Sequence, residues 1–322
     1  MLATTFAAGC GEDDGETLTV YSGREEELVE PLFDRYEEET GNTVEVRYGD
    51  TSELAATVIE EGENSPADVF FGQDAGALGA LEKEDLLAEL SDQQLERVDA
   101  AFRSRAGRWV GTSGRARVVA YNKDELSESE LPSSVLGFTD PEWKGRIGWA
   151  PTNGSFQAFV TAMRLTEGEE ATEEWLRGIV ANDPKVFDGN EEIRDAIAAG
   201  EIDVGFINHY YVAQAQDEEG PGYPVAVYFP PGGDVGSLIN VAGAGVLASS
   251  GSDQAQEFVD FLLSDESQRF FAEETKEYPL VDGIPADPAV VPLAEIEQPQ
   301  IDLSDLDDLR GTLELIERSG AL

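Results

Sequence analysis

The sequence predicts an α/β protein that is divided into two lobes. The chain has 322 residues, which is more than one compact domain usually contains. From residue 18 onward, short apolar or alternating segments typical of strands take turns with longer segments in which apolar residues recur at helical spacing. Such alternation favours an α/β architecture with parallel strand pairing.

The first five predicted elements follow the order strand, helix, strand, helix, strand. The strands cover residues 18–21, 43–48 and 67–71, and the helices cover residues 25–40 and 52–61. In the first helix Leu28, Leu32, Phe33 and Tyr36 recur on one face. Each of these strands ends just before a polar loop.

The second half of the chain repeats this pattern less regularly. Strands are predicted at 118–121, 146–150, 203–207 and 241–247, and helices at 156–165, 171–180 and 191–199. The Gly/Pro-rich stretch 220–236 predicts irregular structure. An amphipathic helix follows Ser249 and carries Phe258 and Phe271 among its apolar residues.

The charge of the chain excludes one large class of partner. There are 67 acidic residues against 21 basic ones, for a formal net charge of -46. Nucleic-acid binding needs clusters of Lys and Arg, so we do not expect it. The acids are spread along the chain and only five of the basic residues are Lys, which suggests a surface adapted to high salt. A surface that attracts cations is the alternative.

The start of the chain predicts a lipid anchor outside the cytoplasm. Its first apolar run is too short to cross a bilayer, which takes ~20 residues. The run ends in Ala7-Ala8-Gly9-Cys10, which resembles a lipoprotein processing site. Residues 1–17 are therefore interpreted as a truncated signal peptide and tether, with Cys10 as the lipidated residue; a free thiol is the alternative. Because Cys10 is the only cysteine, an intrachain disulfide and a Cys-based zinc cage are excluded.

Four polar loops at the ends of predicted strands are the candidate site. Ligands of α/β sheets bind beyond the carboxyl ends of the strands. These loops supply carboxylates, an amide, the backbone donors of a helix start and two phenols, from Glu25, Gln73, Asp74, Gly154, Ser155, Tyr210 and Tyr211.

The adjacent tyrosines suit a hard, highly charged metal ion. A phenol, with a pKa near ~10, ionises at neutral pH only beside a strong positive charge. Oxygen-rich ligation selects against soft metals, and tyrosinate is a ligand type for iron. Tyrosine pairs also occur in cores, so packing alone is the alternative for Tyr210 and Tyr211. The only histidine, His209, adjoins them and is more often a supporting residue than a ligand.

The chain resembles the periplasmic ferric-ion-binding proteins, which are related to transferrin in architecture. Eight segments, in matching order and spacing from about residue 17 to the C-terminus, carry the resemblance: Leu18-Thr-Val-Tyr-Ser-Gly23, Ser65-Pro-Ala-Asp-Val-Phe70, Ser113-Gly-Arg-Ala-Arg-Val-Val119, Trp143-Lys-Gly-Arg-Ile-Gly148, Pro151-Thr-Asn-Gly-Ser-Phe156, Gly200-Glu-Ile-Asp203, Ile207-Asn-His-Tyr-Tyr211 and Glu277-Tyr-Pro-Leu280.

The resemblance implies a two-lobed periplasmic-binding-protein fold of type II, in which the chain crosses between lobes and the ligand lies in the interlobe cleft. One lobe would comprise residues 18–117 and 241–285, and the other residues 118–240 and 286–322. The implied function is that of a monomeric, extracytoplasmic binding protein that delivers ferric iron to the permease of an ABC importer.

The resemblance also implies roles for individual residues. Tyr210 and Tyr211 match the paired tyrosinate ligands of the family. Glu25 and Gln73 stand where many members have a histidine and a glutamate, so they are candidate metal ligands, and Asp74 could partly replace the missing carboxylate.

A bound synergistic anion, phosphate or carbonate, is the second implied ligand. Its candidate partners are residues of the loop before the 156–165 helix, two asparagines and an arginine: Asn153, Gly154, Ser155, Asn190, Asn208 and Arg115. The free N–H groups of a helix start explain why an anion would bind there. For Arg115 a salt bridge at a strand end is an equal alternative.

Two other classes of function compete with ferric-iron binding. A binding protein of the same fold for a polyamine, thiamine or phosphonate is the alternative, with four tryptophans available for stacking. An enzyme is not expected, because the sequence has no Gly-x-Ser-x-Gly, His-Glu-x-x-His or phosphate-binding Walker motif and no Cys nucleophile. A hydrolase with a carboxylate pair is not excluded by counting acids alone.

Overall fold

A computed structural model describes residues 17–220 and 222–322 of the chain. The predicted lipid anchor at Cys10 lies outside these residues and stays a prediction. In the described part, no helix combines the length and apolarity that crossing a membrane would require.

The chain forms ten strands and eleven α-helices within the described residues. The strands are β1 (Thr17–Ser22), β2 (Thr43–Tyr48), β3 (Val69–Gly72), β4 (Val110–Asn122), β5 (Ile147–Trp149), β6 (Lys185–Val186), β7 (Val204–Asn208), β8 (Val225–Tyr228), β9 (Ile239–Val246) and β10 (Tyr278–Pro279). The helices are α1 (Glu26–Thr40), α2 (Thr51–Glu61), α3 (Ala75–Lys83), α4 (Asp92–Leu95), α5 (Gly154–Thr166), α6 (Glu169–Ala181), α7 (Asn190–Ala198), α8 (Tyr210–Glu219), α9 (Asp253–Leu262), α10 (Asp265–Glu273) and α11 (Leu309–Ser319).

The strands form two groups that share β4. In the first group β1 pairs in parallel with β2 and β3, and β9 joins β3 antiparallel. Residues 110–116 of β4 pair with β9, and β10 pairs with the same part of β4. In the second group residues 117–122 of β4 pair with β7 and β8, and β5 lies parallel between β6 and β7. The predicted α/β, two-lobed class is confirmed.

β4 is much longer than the strand predicted at 118–121. Its first half reads Val-Gly-Thr-Ser-Gly-Arg, which lacks the apolar alternation of a typical strand. Every residue of β4 is nevertheless buried. A side chain at Gly111 would come within 2.6 Å of the Phe102 carbonyl oxygen, so the glycine permits close packing against a neighbouring backbone.

Polar side chains start the helices that follow the strands of the site. Asp50 accepts hydrogen bonds from two backbone N–H groups of α2, and Asp74 does the same for α3. Asn153 accepts one such bond, from Ser155 at the start of α5. These caps satisfy donors that have no partner inside a helix. The helix predicted after Ser249 is two helices, α9 and α10, because Ser264 caps a new start.

The C-terminal part of the chain joins the two groups. A 3-10 helix at Leu303–Asp307 packs on α3 so closely that a Cβ atom at Gly79 would lie 2.3 Å from the Ser304 carbonyl oxygen. α11 then packs on α5 and α6, where the hydroxyls of Thr161 and Thr312 are 2.7 Å apart. The segment therefore contacts helices that cover both groups of strands.

Candidate metal centre

The polar loops predicted as the site meet at one cleft. β1, β3 and β5 each end at this cleft, and α8 begins there directly after β7. A cavity of about 330 Å³ is lined by seven of the predicted site residues, namely Glu25, Gln73, Asp74, Asn153, Gly154, Ser155 and Tyr211. A much smaller neighbouring cavity is lined by Arg115, Asn208 and Ser155, together with Arg117.

Tyr210 and Tyr211 form the first turn of α8. Their rings are stacked, with centroids 4.3 Å apart and an interplanar angle of 29°. Tyr210 is buried, and Tyr211 is half-buried on the wall of the cleft. Burial raises the pKa of both phenols, and for Tyr211 the adjacent Tyr210 adds to this effect. Both side chains are therefore neutral phenols at neutral pH unless a cation lies beside them.

The carboxylate of Glu25 is not used by its own helix. Glu25 occupies the N-cap position of α1, yet its side chain makes no capping hydrogen bond. It lines the same cavity as Tyr211. Its oxygens are thus available at the cleft.

Gln73 is fixed through its backbone. Its N–H donates to Thr51 Oγ1 over 3.2 Å, and its carbonyl oxygen accepts a hydrogen bond from Arg115. The side-chain Oε1 is buried and has no hydrogen-bond partner among the described residues. The neighbouring Asp74 differs, because its carboxylate accepts from the N–H groups of Gly76 and Ala77 at the start of α3.

Arg115 reaches the cleft from the middle of β4. It is 3% exposed and forms no ion pair with any described residue. The alternative interpretation of Arg115, a salt bridge at a strand end, is therefore not found among the described residues. Its Nη1 atom is buried without a hydrogen-bond partner there. Burial lowers the pKa of Arg115, an effect that Glu277 partly offsets.

A chain of amide hydrogen bonds connects the predicted anion-binding residues. Asn190 Oδ1 accepts from the backbone N–H of Asn208 over 3.0 Å, and Asn190 Nδ2 lies 3.4 Å from Asn153 Oδ1. Asn208 Nδ2 donates to Ser155 Oγ over 3.1 Å. The structure thus brings together all four of these polar residues at the start of α5.

Arg117 was missed by the sequence analysis, although a signal for it exists. Residues two apart on a strand share a face, so Arg115 and Arg117 point to the same side of β4. The Arg117 guanidinium lies 5.6 Å from the ring centroids of both Phe156 and Phe159, and it donates to Asn190 and to the Phe206 carbonyl oxygen. Burial lowers its pKa to about 9, so it stays charged at neutral pH.

A buried ion pair close to the cleft was also missed. Arg24 and Glu277 are both fully buried and pair over 2.8 Å. Nothing in the local sequence indicates that residues so far apart in the chain would meet. Counting Arg24, Arg115 and Arg117 against Glu277, the buried groups around the cleft carry an excess of positive charge. Four carboxylates line the main cavity itself. Burial without counter-charge is unfavourable, so the arginines favour an anionic ligand at their side of the cleft.

His209 lies on the other side of α8 from the cleft. Its Nδ1 accepts a hydrogen bond of 3.1 Å from the Ala116 N–H, and its ring stacks on Tyr278 at 4.4 Å. Burial lowers its pKa to about 4, so the ring is neutral. Within the described residues, no group of three or more His, Cys, Asp or Glu side chains is placed to hold a metal ion.

Comparison with known proteins gives a consistent result. A family model described as bacterial extracellular solute-binding protein matches residues 64–305. The chain is 33% identical to the Fe(3+)-binding periplasmic protein of Serratia marcescens, over 100% of this chain and 95% of that protein. Among solved structures, iron-bound HitA from Pseudomonas aeruginosa has a TM-score of 0.88 and 35% identity, covering 94% of this chain and 99% of HitA.

A second solved structure extends the likeness to a complex with an anion. The Trichodesmium IdiA (FutA) protein in complex with iron and citrate has a TM-score of 0.80 and 30% identity, covering 94% of this chain and 99% of that one. The resemblance seen in the sequence is thereby confirmed. Since these matches span nearly the whole chain, the protein belongs to the family of bacterial extracellular solute-binding proteins.

Proposed function

We propose that this protein binds ferric iron through the phenolates of Tyr210 and Tyr211, together with a small anion, and delivers it to the permease of an ABC importer. The observation that carries the proposal is the pair of stacked phenols at a cleft that is also lined by carboxylates, among them that of Glu25. Phenols in this setting are neutral alone and become strong ligands when a trivalent cation displaces their protons. The iron-binding relatives support the same cargo.

Charge balance favours this set of ligands. Two phenolates and the Glu25 carboxylate carry three negative charges, which match a trivalent ion. Gln73 adds a neutral oxygen, since its Oε1 is buried at the cleft without a partner among the described residues. A neutral complex limits the cost of closing the cleft away from water.

The anion, phosphate or carbonate, would bind between Arg115 and the start of α5. Arg115 offers a buried guanidinium nitrogen without a described partner, and Ser155 and Asn153 stand at the helix N-terminus. Helix N-termini attract anions through free N–H groups and the helix dipole. Asn190 and Asn208 hold the loop through their hydrogen bonds and add donors.

The proposal includes the setting of the protein. We place it outside the cytoplasm, as a monomer held to the membrane by a lipid on Cys10. The two lobes would divide at residues 117 and 240, with residues 286–322 in the second lobe, and would close on the ion. Domain closure is the usual motion of such binding proteins.

Binding of an organic cation is less well supported. The tryptophans that the sequence offers for stacking on such a ligand are all core residues with at most 2% exposure, namely Trp109, Trp143, Trp149 and Trp175. The relatives are solute-binding proteins, so catalysis is not part of the proposal.

A visible absorption spectrum during titration with ferric citrate tests the function. Ferric phenolate absorbs visible light, so a broad band should appear and saturate at one iron per chain. The Tyr210→Phe, Tyr211→Phe double variant should show no band. Lack of a band in the unmodified protein would reject ferric iron and favour an organic ligand.

A further inference from the structure

The loop that carries Glu25 is tied to a distant part of the chain by a buried ion pair. Arg24 donates from Nη1 and Nη2 to the two carboxylate oxygens of Glu277, over 3.1 and 2.8 Å. Neither side chain is exposed to solvent. Such a two-pronged contact fixes orientation as well as distance. The backbone of Arg24 is thus held directly beside the proposed ligand Glu25.

The Glu277 carboxylate also contacts two hydroxyl groups. Ser113 Oγ donates to it over 2.8 Å. Thr275 Oγ1 lies 3.3 Å from it, although its single proton has a closer acceptor in the Phe271 carbonyl oxygen at 2.7 Å. Burial alone would raise the pKa of Glu277, but Arg24, with help from the Arg115 charge and the Ser113 hydroxyl, outweighs burial and holds the pKa below its usual range. Glu277 is therefore an anion that Arg24 and Ser113 hold in place.

The segment that contains Glu277 also contacts the helix of the tyrosines. Gln214 of α8 donates to the Thr275 carbonyl oxygen over 3.2 Å. Lys276 pairs with Asp217 of α8, and its backbone has a φ of 59°, in the left-handed region that residues other than glycine seldom adopt. Tyr278 stacks on His209, the residue before Tyr210. Residues 275–278 thus contact α8 at two places and the residue before it at a third.

We propose that Glu277 is a positioning residue for metal capture, which holds the loop of Glu25 in register with the helix that carries Tyr210 and Tyr211. This inference rests on the proposed ferric site. The two ligand groups come from elements far apart in the chain, and Glu277 belongs to a short segment that contacts both of them directly. Loss of its charge leaves Arg24 buried without a counter-ion, so the loop must move toward solvent.

A double-mutant cycle between Glu25 and Glu277 tests this role. The rate of iron transfer to an excess of a strong ferric chelator is followed by the decay of the visible band. Glu25→Gln and Glu277→Gln should each speed the release about tenfold, and the double variant should also be about tenfold faster, not about hundredfold. Such non-additivity is expected only if Glu277 acts through Glu25.

The controls separate this inference from the proposed function. Asp203→Asn breaks the ion pair with Arg146, at the opposite end of β7, and should leave the release rate unchanged. If near-UV circular dichroism shows that Glu277→Gln does not fold, Ser113→Ala replaces it, because this variant removes one hydrogen bond to the Glu277 carboxylate. Ser113→Ala should give about threefold faster release, with the same non-additivity toward Glu25→Gln.

The outcomes are distinguishable. An unmodified protein without a visible band overturns the proposed function itself. A normal band in the unmodified protein, combined with additive effects or with an unchanged rate for Glu277→Gln, overturns the positioning role and leaves the ferric site intact.

Discussion

Iron binding is expected to release two protons from the protein, one from Tyr210 and one from Tyr211. Burial raises the pKa of both phenols, so each carries its proton before the metal arrives. His209 has a pKa lowered to about 4 and is already neutral, whereas Arg117 has a pKa lowered to about 9 and is still charged. Between about pH 5 and 8, His209 and Arg117 therefore keep their protonation states while the two phenols lose their protons to the metal.

The size of the effect follows from the proton count. When binding releases two protons, the logarithm of the association constant rises by two for each pH unit. The sign is that of a metal competing with protons, so acidification weakens binding. One pH unit downward should weaken iron binding about hundredfold in the unmodified protein and about tenfold in Tyr211→Phe, which retains one phenol.

The assay is titration of the visible band against citrate at several pH values within that window. The slope of Tyr211→Phe is subtracted from the slope of the unmodified protein. This difference cancels the protons carried by citrate, by the bound anion and by Asp74, whose pKa is raised by burial and whose contacts do not involve Tyr211.

One result would refute the reasoning. If the unmodified protein and Tyr211→Phe have equal slopes, the Tyr211 phenol either does not ligate iron or is ionised beforehand. Equal slopes for Tyr210→Phe and the unmodified protein would likewise reject Tyr210 as a ligand that loses its proton on iron binding.

Three further predictions address the anion, the packing and the charge of the chain. Arg115→Gln should weaken iron binding about tenfold or more in the presence of phosphate or carbonate, because a charged donor to the anion is lost, and titrations with and without added anion should converge. Gly79→Ala should lower the free energy of unfolding by about 1–3 kcal/mol in urea denaturation, because a Cβ atom there would lie 2.3 Å from the Ser304 carbonyl oxygen. Raising NaCl from about 0.05 to 1 M should raise the Tm by more than about 4 °C, because salt screens the repulsion within a chain of net charge -46.

Each of these three predictions has a result that would contradict it. An anion dependence that persists in Arg115→Gln would place the anion elsewhere. Gly251→Ala, where the added Cβ meets no atom within 4 Å, should leave stability nearly unchanged, and an equal loss in both glycine variants would reject the packing argument. A Tm that does not change with salt would favour local cation binding over general screening.

The sequence was sufficient for most elements near the cleft because their signals are local. β1, β3 and β7 are short apolar runs, and polar residues that cap or start helices follow them directly. Glu25 and Gln73 follow the parallel strands β1 and β3, whose carboxyl ends lie at one edge. Tyr211 follows β7 of the other group and could be grouped with them because ligands of α/β proteins bind beyond the carboxyl ends of strands. The resemblance added the anion-binding residues.

The parts that were missed depend on distant contacts. The first half of β4 is a strand because β9 and β10 pair with it, despite a Gly-rich, polar sequence. The Arg24 and Glu277 pair joins residues 253 positions apart, and no local pattern encodes it. Burial of Arg117 between two phenylalanines likewise depends on α5, which folds over β4 only in the tertiary structure.

The sharing of β4 has a consequence for how the protein unfolds. One half of this strand completes each group of strands, so melting either lobe would leave part of β4 as an unpaired edge beside the other. The two lobes are thus expected to lose their structure together, in a single cooperative transition. A melting temperature measured on this protein would then describe the whole molecule, and a stabilising ligand at the cleft would protect both halves alike.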